Sequence, residues 1–158
     1  MLTDPAPGFA LGASMRRARF SAGVAGRFDL PVESEHEATD ATRTRVTTRT
    51  SLVLGEVHAC AHLRPRGLTP FLCAFVQAGA LRGAASGIAT AKEDVSAYLA
   101  AGPRLGATLP LSESIALDAR VDVPFALTTV ELRVDDRALW TSPTLGAVAG
   151  AGMTFSLP

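Results

Sequence analysis

The chain has 158 residues, enough for one barrel or sandwich domain, with 15 Lys and Arg against 15 Asp and Glu for a formal net charge of zero. Its cations are scattered, Lys92 being the only lysine, so the electrostatic footprint of a nucleic-acid binder is excluded. Charged residues make up 19%, below the roughly 25% of a soluble domain, yet every apolar run is broken before the roughly 18–20 residues of a spanning helix, which excludes transmembrane helices.

Residues 1–7, with Asp4 and two prolines, read as a disordered lead-in and lack the basic stretch and apolar run of a signal peptide. Strands are then expected near 8–15, 18–30, 44–63, 69–82, 94–109, 114–126 and 143–157, because one side-chain parity in each is apolar and almost free of charge. Helical periodicity is nowhere convincing. The first strand carries Leu11 on its apolar parity, and the second carries Val24 there and Arg27 on the other. The second strand is expected to end at 30, and the acidic stretch from Glu33 to Asp40, with His36, reads as a solvated loop.

The third strand is the clearest. Gly55, Val57, Ala59, Ala61 and Leu63 take one face, while Glu56, His58, Cys60 and His62 take the other. His58 and His62 lie about 13 Å apart in extended chain, too far to share an ion, so no metal site is expected. Reflecting the next hairpin about Arg66 and Gly67 sets Cys60 opposite Cys73, close enough for a disulfide.

The fourth strand adds Val76 to the apolar parity. Around the turn at 110–113, pairing Leu109 with Ile115 aligns Leu105 and its neighbours with Val121, Val123 and Phe125 on one face, and Tyr98, Arg104 and Thr108 with Asp118, Arg120 and Asp122 on the other. Trp140 is expected near the tip of a hairpin-like link at 127–142. The last strand opposes Leu145, Ala147, Ala149, Ala151, Met153 and Phe155 to Thr144, Gly146, Gly150, Gly152 and Thr154.

Short turns at 15–17, 64–68 and 110–113 alternate with longer links at 31–43, 83–93 and 127–142, the habit of outer-membrane barrels. The strands exceed the roughly 5–6 residues of a globular strand, the second parity is rich in small residues, and Phe9, Phe28 and Phe125 at the loop rim with Phe20 and Phe155 at the turn rim make a thin aromatic girdle. The expected fold is an all-β, antiparallel up-and-down transmembrane barrel spanning residues 1–158 as a single domain. Its lipid-facing belt would include Leu11, Val24, Val57, Val76, Leu105, Val121, Phe125, Met153 and Phe155. Its lumen would hold a charged network of Arg27, Glu56, Arg104, Asp118, Arg120 and Asp122, which neutralises itself and fills space. Even strand number and periplasmic termini predict that the seven strands lack an upstream eighth, together with a signal peptide.

The stretches LGEVHACAHL, TPFLCAFVQAGALRG, AAGPRLGATLPLSESIALDARVD and LRVDDRALWTSP before a Gly-rich last strand resemble uncharacterised small outer-membrane β-barrel proteins of Gram-negative bacteria. The resemblance runs from about Pro7 to the end and implies an outer-membrane location, with no catalytic residues to carry over. Two departures are the missing signal sequence and the tail Ser156, Leu157, Pro158 beyond the terminal aromatic.

The expected role is therefore non-enzymatic and free of cofactors: a monomeric outer-membrane barrel, structural or engaging a surface ligand or envelope protein through its long loops. One alternative is a soluble lipocalin-like barrel around a small hydrophobic ligand. Another is a barrel-embedded hydrolase with serine and histidine at a rim.

Overall fold

Alternation with Val, Thr, Phe and Ala on a pleated backbone gives strands throughout, and no helix occurs among the described residues. A computed structural model describes residues 6–37, 45–63, 67–86, 93–129, 131–134, 137–141 and 143–155. They form β1 (Gly8–Arg17), β2 (Phe20–Glu37), β3 (Arg45–His62), β4 (Thr69–Ser86), β5 (Glu93–Pro110), β6 (Ile115–Asp122), β7 (Phe125–Ala126), β8 (Glu131–Val134), β9 (Arg137–Thr141) and β10 (Val148–Phe155). The sheet order β1-β2-β3-β4-β5-β6-β10 is an antiparallel meander, with β7 pairing β5 and β8-β9 forming a separate hairpin. The sheet curls into a half-barrel of the up-and-down kind. It is not closed: among the described strands, β1 and β10 are each paired on one side only.

Several boundaries differ from those expected. The first hairpin turns at Ala18 and Arg19, with Arg17 opposite Phe20, rather than at 15–17. Ala18 has φ 53°, a left-handed conformation that costs a non-glycine residue about 1–2 kcal/mol. Ala18→Gly is therefore expected to raise stability by up to about 1 kcal/mol after the extra unfolded-state entropy of glycine is subtracted, read as a higher urea midpoint.

Pro31 does not end β2. Asp29 pairs with Leu52 whereas Val32 pairs with Thr50, so Leu30 and Pro31 together oppose Ser51 in a bulge. A bulge is where a residue without an N–H can be absorbed. Beyond it β2 runs on to Glu37, with Glu33 opposite Arg49 and Glu37 opposite Arg45 in register. Much of the expected acidic loop is thus strand; residues 38–40 lie outside the described residues, as do residues 1–5 of the lead-in and the tail 156–158. β4 likewise continues to Ser86.

Around the 110–113 turn, Pro110 pairs with Ala116 and Leu109 with Leu117, two residues from the expected register. The amides of Leu111 and Ser112 donate to the Ile115 carbonyl at 2.9 and 3.0 Å, and the Ser112 hydroxyl accepts from the Ile115 amide at 3.1 Å. These bonds lengthen the connection. A shift of two leaves every side chain on its own face.

The sixth strand is interrupted at Val123 and Pro124, which separate β6 from β7. Pro124 cannot donate to the ladder, and Pro103 lies beside this break, its carbonyl accepting from the Val123 amide at 3.0 Å. Pairing beyond the break is irregular, ending in a single bridge between Phe125 and Leu145, so β10 begins at Val148 rather than at 143. Trp140 belongs to β9, opposite Leu132, and not to a hairpin tip; Asp135 and Asp136 lie outside the described residues.

Candidate functional site

The curl gives the two parities different environments. The concave side buries Asp29, Glu56, Thr69, Gln77, Arg104 and Asp122, together with Leu54, Phe71, Phe75 and the two cysteines. On the convex side Leu11, Val24, Val57, Val76, Leu105, Val121, Phe125, Met153 and Phe155 are all exposed, as are Phe9, Met15, Phe20, Val53 and Leu72. From the row of Met15 and Ala22 to the row of Phe9 and Phe28, the convex positions of the described strands carry no charge. Phe9 and Phe28 touch, with ring centroids 5.5 Å apart. Phe125 lies in the cross-strand row of Ala101, Val76, Val57 and Val24, four residues nearer the turns than Phe28.

The concave face is organised in rows set by the registers. One row runs Arg16, Ser21, Cys60, Cys73, Arg104, Asp122. Cys60 and Cys73 are joined by a disulfide, their Cα atoms 3.9 Å apart, as befits the close, non-hydrogen-bonded kind of cross-strand pair. Arg104, 3% exposed, is the hub. Its Nε donates to Asp122 Oδ1 at 2.6 Å and its Nη2 to Asp122 Oδ2 at 2.9 Å, a bidentate fork, while Nη2 also donates to Glu56 Oε2 at 2.8 Å. The guanidinium lies over the Phe75 ring, 5.3 Å from its centroid, a stacked cation. Glu56 accepts a second bond at Oε1 from His58 Nδ1 at 3.1 Å. Arg120 approaches Asp122 more loosely, at 3.8 Å.

Four of the six residues expected in a single network therefore converge: Arg104, Glu56, Asp122 and, at its margin, Arg120. The other two do not join it. Arg27 forks onto Asp29, with Nε to Oδ1 and Nη2 to Oδ2 both at 2.7 Å, and Asp118 accepts from Thr154 Oγ1 at 3.2 Å. Asp29 stands two residues from Arg27 on the same strand face, so it satisfies the fork locally; Asp118 stands nearer the turns than Asp122 and faces β10.

Asp29 was not expected in this role, although the spacing of two on one strand already set Asp29 beside Arg27, as it set His58 beside Glu56. A third concave pairing also escaped sequence reasoning. Ser21 Oγ and His62 Nε2 are 2.9 Å apart, near the turn end of β2 and β3. Small residues leave room for these rings: a Cβ on Gly106 would run into the Phe71 ring, and one on Gly23 would meet His58 Nε2 at 2.8 Å.

Among the described residues no group of three or more His, Cys, Asp or Glu could hold a metal ion. A scan against protein-family models and searches of curated proteins and of solved structures gave no match.

Proposed function

We propose that the chain is a membrane-embedded β-barrel of an outer membrane, its convex face in lipid and its concave face a filled, polar lumen. The observation that carries this reading is the inversion of the usual arrangement: a buried Arg104–Asp122–Glu56 cluster inside and a charge-free apolar belt outside. A soluble domain rarely leaves so large a contiguous apolar surface in water. In lipid, the belt replaces hydrocarbon at no cost and the backbone groups between paired strands are satisfied, while the outer edges of β1 and β10 have to be paired as well. The role is structural, or one of engaging a surface ligand or envelope protein through the links between β2 and β3, β4 and β5, and β7 and β10, by a monomer without a cofactor. Nothing in the charge distribution favours nucleic acid.

The lipocalin-like alternative requires the apolar parity to turn inward around a hydrophobic ligand, where the buried charges now stand. Refolding from urea into phospholipid vesicles separates the two. The expected result is that folding, read as a faster unboiled band on a semi-native gel, requires vesicles or detergent and that the folded protein floats with vesicles after alkaline washing. A folded, monodisperse protein in plain buffer would instead establish the soluble carrier.

A further inference from the structure

Outside the Arg104 cluster, among the described residues, the concave side carries one hydroxyl paired with one imidazole. We propose that Ser21 and His62 are a nucleophile and its base at the turn end of the sheet, acting on carboxylic esters that carry an anionic group.

Their separation of 2.9 Å between Oγ and Nε2 is the hydrogen-bonding distance at which a base takes a hydroxyl proton. The two residues come from different strands, 41 positions apart in the chain, so the pairing is a product of the fold and not of local sequence. The setting is stiff. Ser21 is opposite Cys60, whose disulfide to Cys73 ties β3 to β4. The His62 ring packs against Phe71, centroids 5.8 Å apart, and its backbone amide donates to the Arg19 carbonyl at 2.7 Å.

The other ring nitrogen, Nδ1, is buried and has no hydrogen-bond partner among the described residues. A triad would set a carboxylate there to hold the tautomer in which Nε2 accepts. Without it the pair works as a dyad, and the enhancement expected lies at the low end for general-base catalysis, about 100-fold.

The substrate class follows from the neighbours. Arg16 is directly opposite Ser21 on the same face, its Nε donating to the Ala18 carbonyl at 3.4 Å, and Arg19 belongs to the same turn. Guanidinium donors at this end suit an anionic head group and a developing oxyanion. In the reaction Ser21 Oγ bonds to the ester carbonyl carbon as its proton passes to His62 Nε2. Collapse of the tetrahedral intermediate breaks the bond to the alkoxide, which takes that proton and leaves as the alcohol. Water, deprotonated by His62, then attacks the acyl-serine. A carboxylic acid departs, and the proton returns to Ser21.

The test uses the folded full chain with its disulfide intact, verified by non-reducing mass spectrometry and unboiled gel mobility. A fluorophosphonate should add to Ser21, identified by peptide mapping. Release of p-nitrophenol from p-nitrophenyl hexanoate should fall about 100-fold in Ser21→Ala. His62→Gln should lose the rate and also the rise of labelling with pH through the histidine range. Dihexanoyl phosphatidylglycerol should be cleaved several-fold faster than dihexanoyl phosphatidylcholine, and equal rates would overturn the anionic preference. No adduct on Ser21 in folded, disulfide-bonded protein, or hydrolysis that survives Ser21→Ala, overturns the pair itself. The gel and flotation behaviour reads the membrane proposal separately in the same samples.

Discussion

Arg104→Met is expected to lower the stability of the folded protein by about 3–5 kcal/mol, the cost of leaving buried carboxylates without their cation. Asp122 loses both bonds of its fork and Glu56 loses one. Both side chains are 7% exposed, so water replaces the guanidinium poorly. The cation also covers the Phe75 ring, and methionine fills that volume without the charge, which isolates the electrostatic part. The measurement is the urea midpoint of vesicle-refolded protein followed by circular dichroism at the strand band. Adding Glu56→Gln and Asp122→Asn to Arg104→Met should recover much of the loss, because neutral side chains are cheaper to bury than unpaired charges. A loss below about 1 kcal/mol for Arg104→Met would mean that water reaches the carboxylates and that the concave face is not packed shut.

Reducing the disulfide, or replacing both of its residues in Cys60→Ser/Cys73→Ser, is expected to cost about 3 kcal/mol. The bridge closes a loop with a sequence separation of 13, and the chain-entropy relation gives about 3 kcal/mol for a loop of that size. Cys73 is directly opposite Arg104, so this change and Arg104→Met are expected to be non-additive by about 0.5 kcal/mol or more. Urea titrations with and without reductant measure the effect, with thiol alkylation under denaturing conditions as the check on the bond. Alkylation of both cysteines without reductant would overturn the premise.

The faces of the sheet were legible in the sequence because alternation is a local property and a register slip of two preserves it. Registers were less legible, because they depend on turn geometry that alternation does not show. The β3–β4 hairpin, with Cys60 opposite Cys73, was read correctly, whereas the β5–β6 hairpin was read two residues off because the Ser112 hydroxyl and two amides build a longer turn. That error hid the centre of the site. Pairing Leu109 with Ile115 would set Arg104 opposite Arg120, two like charges face to face, whereas the observed register sets Arg104 opposite Asp122. The unfavourable pair was itself a signal that the register was wrong. The link from Arg104 to Glu56 crosses from β5 to β3 and depends on curl, and the approach of Ser21 to His62 is diagonal between neighbouring strands. No strand-by-strand pattern specifies either.

The bulge at Leu30 and Pro31 acts as a ruler. Below it, the outward positions of β2 run Phe20, Ala22, Val24, Gly26, Phe28 and Leu30 without a charge. At its level the outward face reaches Ser51 and the exposed Arg82, paired in register, and the exposed Arg49 follows. Ten residue steps at about 3.3 Å, inclined by about 40°, rise about 25 Å. That is about the height of the apolar band of an outer-membrane barrel. In the membrane proposed above, a single extra residue beside a proline therefore fixes how deep the protein sits, and moving the bulge along β2 would be expected to move the waterline with it.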